Sequence, residues 1–132
     1  MTQRMKFNVS RAKNAMFETG GLREFFEYRD LGIKKATGGA AHAQVIRAKK
    51  GSKLRAGWHK HVLNLQLIYI LSGWVRFEYE GVGEICLRPG DCVHQPPNIP
   101  HREISHSEDL ELIEITLPAD FDTLPATSAH DA

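Results

Sequence analysis

The first chemistry this sequence offers lies in Trp58-His59-Lys60-His61. Side chains two apart on an extended strand leave the same face, with Cα atoms roughly 6.6 Å apart at ~3.3 Å of rise per residue. Two imidazoles so placed can converge on one metal ion. His101, beyond the double proline Pro96-Pro97, offers a third from another strand. Three nitrogens on one side of an ion leave the opposite positions open. The bland alternative is that His59 and His61 are polar residues on a solvent-facing strand, with His101 in a surface loop.

Something must hold these residues, and the chain reads as strands. Leu22 to Tyr28 is rich in aromatics and ends in the turn Arg29-Asp30-Leu31-Gly32. Ala41 to Ala48 alternates loosely, and Lys49 to Lys53 is a basic turn. Leu65 to Leu71 is almost wholly apolar, which predicts a strand buried on both faces or an inner-sheet strand. Val75, Phe77 and Tyr79 alternate with Arg76, Glu78 and Glu80, then Gly81-Val82-Gly83 closes a hairpin. Glu84 to Arg88, Cys92 to Gln95, His101 to Ser105 and Leu110 to Leu117 follow, separated by Gly, Pro and acidic turns. Short strands at regular spacing without a helical period predict an all-β sandwich or barrel. Residues 1–20 read as a lead-in with one helical turn near Ala12 to Phe17, residues 21–117 as the barrel, and 118–132 as a surface-lying or disordered tail.

The totals agree with one soluble globular domain. The chain has 132 residues, 42% apolar and 25% charged, with a formal net charge of +1. That balance gives no electrostatic reason to expect nucleic acid or a membrane surface as partner. No apolar run approaches the roughly 20 residues of a membrane helix, and the basic start lacks a signal peptide's apolar stretch. With two cysteines, too few for a disulfide scaffold, the expected address is cytoplasmic.

The histidines sit in a longer pattern. His59-x-His61 is followed by four residues and Gln66, then six residues and Gly73. Gly90 is followed by five residues and Pro96-x-Asn98, then two residues and His101, then three and Ser105. In order and spacing the pair resembles the two motifs of a small single-domain cupin. The resemblance implies a double-stranded β-helix, or jelly-roll barrel, and metal ligation by His59, His61 and His101. Where this chain has Gln66, the family usually has a ligating Glu. Asn98 replaces a family Gly, a mild change because Asn tolerates the left-handed conformation.

The change at Gln66 has a charge consequence. Three neutral imidazoles leave a divalent ion at formal +2, and a neutral amide is a weaker ligand than a carboxylate. Gln66 is therefore expected either to coordinate weakly or to hydrogen-bond a bound water or substrate, the one catalytic role assigned. Such a site favours a small, anionic, chelating organic molecule. Some cupin-like dioxygenases are similar in using three histidines and no carboxylate. The expected activity is a metal-dependent oxygenase holding Fe(II), with Zn, Ni or Mn in an isomerase or hydrolase as variants. The rivals are a non-catalytic ligand- or metal-binding module and a barrel without metal.

The remaining features take plainer readings. His94 and His106 are expected at the surface or in hydrogen bonds, and Cys86 and Cys92, on either side of the Pro89-Gly90-Asp91 turn, as buried inert thiols in reach of a cross-strand pairing. Trp58, Tyr69, Trp74, Phe77 and Tyr79 read mostly as core. Cupins of this kind are commonly homodimers, and the aromatics of residues 22–28 are expected to cross to the partner.

Overall fold

A computed structural model describes residues 5–19, 26–49 and 57–126. Ten strands are present among them: β1 (Phe26–Asp30), β2 (His42–Ala48), β3 (His59–Val62), β4 (Leu65–Ser72), β5 (Val75–Tyr79), β6 (Gly83–Leu87), β7 (Cys92–His94), β8 (His101–His106), β9 (Glu111–Leu117) and β10 (Asp122–Pro125). They form two five-stranded antiparallel sheets, ordered β1-β2-β9-β4-β7 and β10-β3-β8-β5-β6. This is the expected all-β jelly roll. A short helix, α1 (Ile33–Ala36), and a single 3-10 turn at Ala12–Asn14 complete the elements, the latter inside the stretch expected to hold a helical turn.

Turn chemistry fixes where strands stop. Gly73 has φ of 71°, and a Cβ there would run into the Ser107 hydroxyl and the Leu110 backbone. A side chain at 73 would therefore force apart the β4–β5 turn and the approach to β9. Asn98 adopts φ of 65°, the left-handed conformation expected of the residue in the family's Gly position.

Alternation then sorts the side chains. On β4, Gln66, Ile68 and Ile70 are buried while Tyr69 and Leu71 are each 42% exposed. The strand is internal to its sheet, as predicted, but not buried on both faces, because its outer face is not covered along its length. Ile46, Ile68, Ile70, Val75, Leu87, Leu110 and Leu112 make the core between the sheets.

Several expectations need correction. Cys86 and Cys92 are exposed, and they lie on β6 and β7 in different sheets. Cys86 shares the outward parity of Glu84, so its apolar neighbours Ile85 and Leu87 face in instead. Phe26 and Tyr28 pack against the core from β1, which pairs with β2 of its own sheet. Residues 22–25 of the stretch expected to cross to a partner lie outside those described, as does most of the basic turn at 50–53. Helix α1 went unread, since its four residues show no full period. Asp30 initiates it by accepting the Gly32 N–H at 2.6 Å. Finally, the stretch expected as a tail contains β10, which pairs with β3. Among the described residues no helix is long and apolar enough to cross a membrane.

Candidate metal centre

Register brings the three histidines together. His59 on β3 is the direct cross-strand partner of His101 on β8, and His61 lies two residues along β3 on the same inward face. All three are buried, and one ligand atom from each lies within 4.8 Å of the others. Ring centroids are 4.3 Å apart for His59 and His101, and 5.0 Å for each of the other pairs.

Their outward nitrogens are held. His59 Nδ1 is 2.9 Å from the Gly57 carbonyl, and His101 Nδ1 is 2.9 Å from the Ile99 carbonyl. A carbonyl only accepts, so the tautomer assigned from these partners puts the hydrogen on Nδ1 and leaves the Nε2 lone pair. His61 Nδ1 is 2.8 Å from Thr123 Oγ1 on β10. Such partners fix ring orientation and make an imidazole a better ligand. The donor set suits a divalent transition metal: neutral, buried imidazole nitrogens aimed at one region.

Around them lies a polar frame. The Tyr79 ring stacks on His101 at 5.5 Å and 27°, and the Phe121 ring meets His61 edge-on at 5.4 Å. Tyr79 donates its O–H to Gln95 Oε1 at 2.6 Å, which turns Gln95 Nε2 toward His101 Nε2 at 3.5 Å. Burial pushes the Tyr79 phenol well above its ordinary value, so it remains a neutral donor.

Gln66 is 2% exposed and lines the same space. Its Nε2 donates to Glu114 Oε2 at 3.0 Å, and Gln44 Nε2 donates to Glu114 Oε1 at 3.0 Å. A carboxylate thus stands one hydrogen bond behind the position where the family has its Glu.

These groups line a cavity of about 430 Å³, within the range of pockets that take small organic molecules. Ile46, Ile68, Phe77 and Leu112 make its apolar wall.

The structure therefore gathers His59, His61, His101 and Gln66, the residues singled out by spacing. His94 is exposed, and His106 is hydrogen-bonded to Glu103, in line with their plain readings. Trp58 is only half-buried, under the Arg102 guanidinium at 4.9 Å, and Tyr69 is exposed rather than core. Sequence reasoning missed Gln44, Gln95, Glu103, Glu114 and Thr123. The signal for Glu114 was present: it shares inward parity with Leu112 on β9. Thr123 carried no such signal.

A model of the cupin domain matches residues 45–116, more than half of the 132-residue chain. The chain belongs to the cupin family. No curated protein matches it in sequence. Among solved structures, this cupin resembles the polyketide cyclase RemF from Streptomyces resistomycificus, with a TM-score of 0.75 at 13% identity over 95% of this chain and 89% of that one. A predicted oxalate decarboxylase from Thermotoga maritima gives 0.68 at 22% identity over 83% and 98%. The Fe(II) form of HppE gives 0.60 at 13% identity over 83% and 59%. This cupin spans 63% and 61% of the chains in two structures of DMSP lyases. At such identities the likeness is one of fold.

Proposed function

We propose that this cupin is a metal-dependent enzyme, an oxygenase acting on a small organic molecule that binds through two oxygens. One observation carries the reading: three buried imidazoles, with no carboxylate among them, converge at the polar end of a cavity of about 430 Å³. When bound, a divalent metal, Fe(II) first and Zn, Ni or Mn as variants, supplies a Lewis-acid centre and, for iron, one able to engage dioxygen. The Fe(II) neighbour is consistent with that choice.

The chain's own groups have separable tasks. His59, His61 and His101 would hold the ion, their rings set by Gly57, Ile99 and Thr123. Because Glu114 takes the Gln66 amide nitrogen, Gln66 Oε1 is the end left to meet the ion or a bound hydroxyl. The net positive charge of a carboxylate-free shell favours an anionic chelating head, while the apolar wall fits an uncharged body and keeps water out. The cavity is larger than a two-carbon diacid needs.

A second reading rests on Glu114, a carboxylate lining the cavity beside Gln66. It would serve as the base of a Lewis-acid isomerase or hydrolase. One experiment separates the readings: elemental analysis of purified protein, then oxygen uptake by the iron-loaded form with keto acids, hydroxy acids and β-diketones. Substrate-dependent oxygen consumption is expected. Full iron occupancy with no uptake overturns the oxygenase, and anaerobic turnover with zinc establishes the second reading. Tight metal or ligand binding without turnover of any kind leaves a binding module.

A further inference from the structure

From the histidines inward, the cavity surface turns apolar, with Ile46, Ile68, Phe77 and Leu112. Glu103 interrupts that wall. It lies two residues beyond His101 on the same inward face of β8, opposite Phe77, and is 4% exposed. One carboxylate oxygen, Oε1, accepts from His106 Nδ1 at 3.1 Å. The other, Oε2, is fully buried and has no hydrogen-bond partner among the described residues. Its partner His106 is packed at 5.4 Å against the Phe26 ring, so the pair is held by the wall around it.

A carboxylate oxygen withdrawn from water without a partner destabilises the folded chain. Retaining one in an otherwise aliphatic layer is a local exception of the kind found at binding sites. An incoming donor would satisfy it once the carboxyl group turns toward the cavity that Glu103 lines.

We infer that Glu103 Oε2 is the second anchor of the ligand: it accepts a hydrogen bond from an ammonium or hydroxyl on the end of the molecule remote from the histidines. This inference rests on the metal-site reading and deepens it. The ligand is then bipolar, with a chelating oxygen head, an apolar middle and a donor tail. Two residues of strand separate the Cα atoms of His101 and Glu103, roughly 7 Å at ~3.3 Å per residue, a spacing on the scale of one aromatic ring. A site built to meet a donor discriminates strongly against an isostere lacking it, because its own acceptor is then left buried and bare.

The test uses the cobalt(II)-loaded full chain and titrates benzohydroxamate, a bidentate oxygen chelator, against the cobalt absorption bands. The 3- and 4-aminomethyl derivatives are compared with the corresponding ethyl compounds. At least one aminomethyl compound is expected to bind roughly 10- to 100-fold more tightly than its ethyl isostere. In Glu103→Gln that preference should disappear while unsubstituted benzohydroxamate binds as before. The wild-type comparison stands alone if the variant does not fold. Equal affinity of both aminomethyl compounds and their ethyl isosteres overturns the anchor, as does a preference that persists in Glu103→Gln. Failure of cobalt to bind at all is a different result, which removes the metal centre and the anchor with it.

Discussion

The two ends of the barrel interior are made from the same strands and obey opposite rules. β4 contributes Ile70 to one end and Gln66 to the other; β9 contributes Leu112 and then Glu114; β5 contributes Val75 and then Tyr79. At the apolar end each buried aliphatic side chain contributes roughly 1.5–3 kcal/mol, with no direction required. At the polar end a buried group left without a partner costs about 1–3 kcal/mol. Its groups are therefore tied in chains: Tyr79 to Gln95, Gln44 and Gln66 to Glu114, His61 to Thr123. At Glu103 Oε2, within the apolar wall, no partner is present among the described residues, and there we propose that the ligand supplies one. The apolar end carries the fold, and that surplus permits an end arranged for chemistry.

Substitutions at each end should separate these roles. His61→Ala is expected to reduce bound metal per chain to near zero after dialysis, a loss beyond the about 10- to 100-fold typical of a supporting residue. The metal-free variant should unfold in denaturant much as the wild type does. Ile70→Ala should do the reverse, losing about 2–5 kcal/mol of stability while the folded fraction keeps its metal stoichiometry. If His61→Ala destabilised the metal-free chain as much as Ile70→Ala, the division between the ends would be refuted.

Thr123→Val sharpens the comparison, because it removes the hydroxyl behind His61 and leaves the ring in place. Chelator competition should show metal affinity weakened by about 10- to 100-fold. Unchanged affinity would mean that β10 has no part in the site. The smallest effect is expected for Tyr79→Phe, which strands Gln95 Oε1 at about 1–3 kcal/mol. Burial raises the folded phenol above its unfolded value of about 10. Its linked stability is thus complete below pH 10 and declines as pH rises toward the folded value. Denaturation of wild type and Tyr79→Phe across alkaline pH would reveal this; parallel curves would show that the phenol is not protected.

Much of this was legible before any coordinates. The paired motif from His59 to Ser105 implied the barrel and its three histidines, and Asn98 was correctly read as able to take a glycine's conformation. The all-apolar run of β4 rightly indicated an inner-sheet strand but not which face is covered; Tyr69 and Leu71 are exposed. Cys86 misled similarly, because a residue type often buried was placed on the outward parity by its strand.

Ligand spacing lies within strands and turns, where rise per residue and alternation set geometry over a few residues, so it survives in the one-dimensional pattern. The carboxylate behind Gln66 and the hydroxyl behind His61 come from strands joined by register, 48 and 62 residues away in sequence, while the buried acid beyond His101 lies 2 residues along the same strand. Even the nearest, Glu103, acquires its meaning from Phe77 opposite and the aliphatic wall around it. Such partnerships depend on which strands pair within each sheet and in what register, and no local periodicity encodes that.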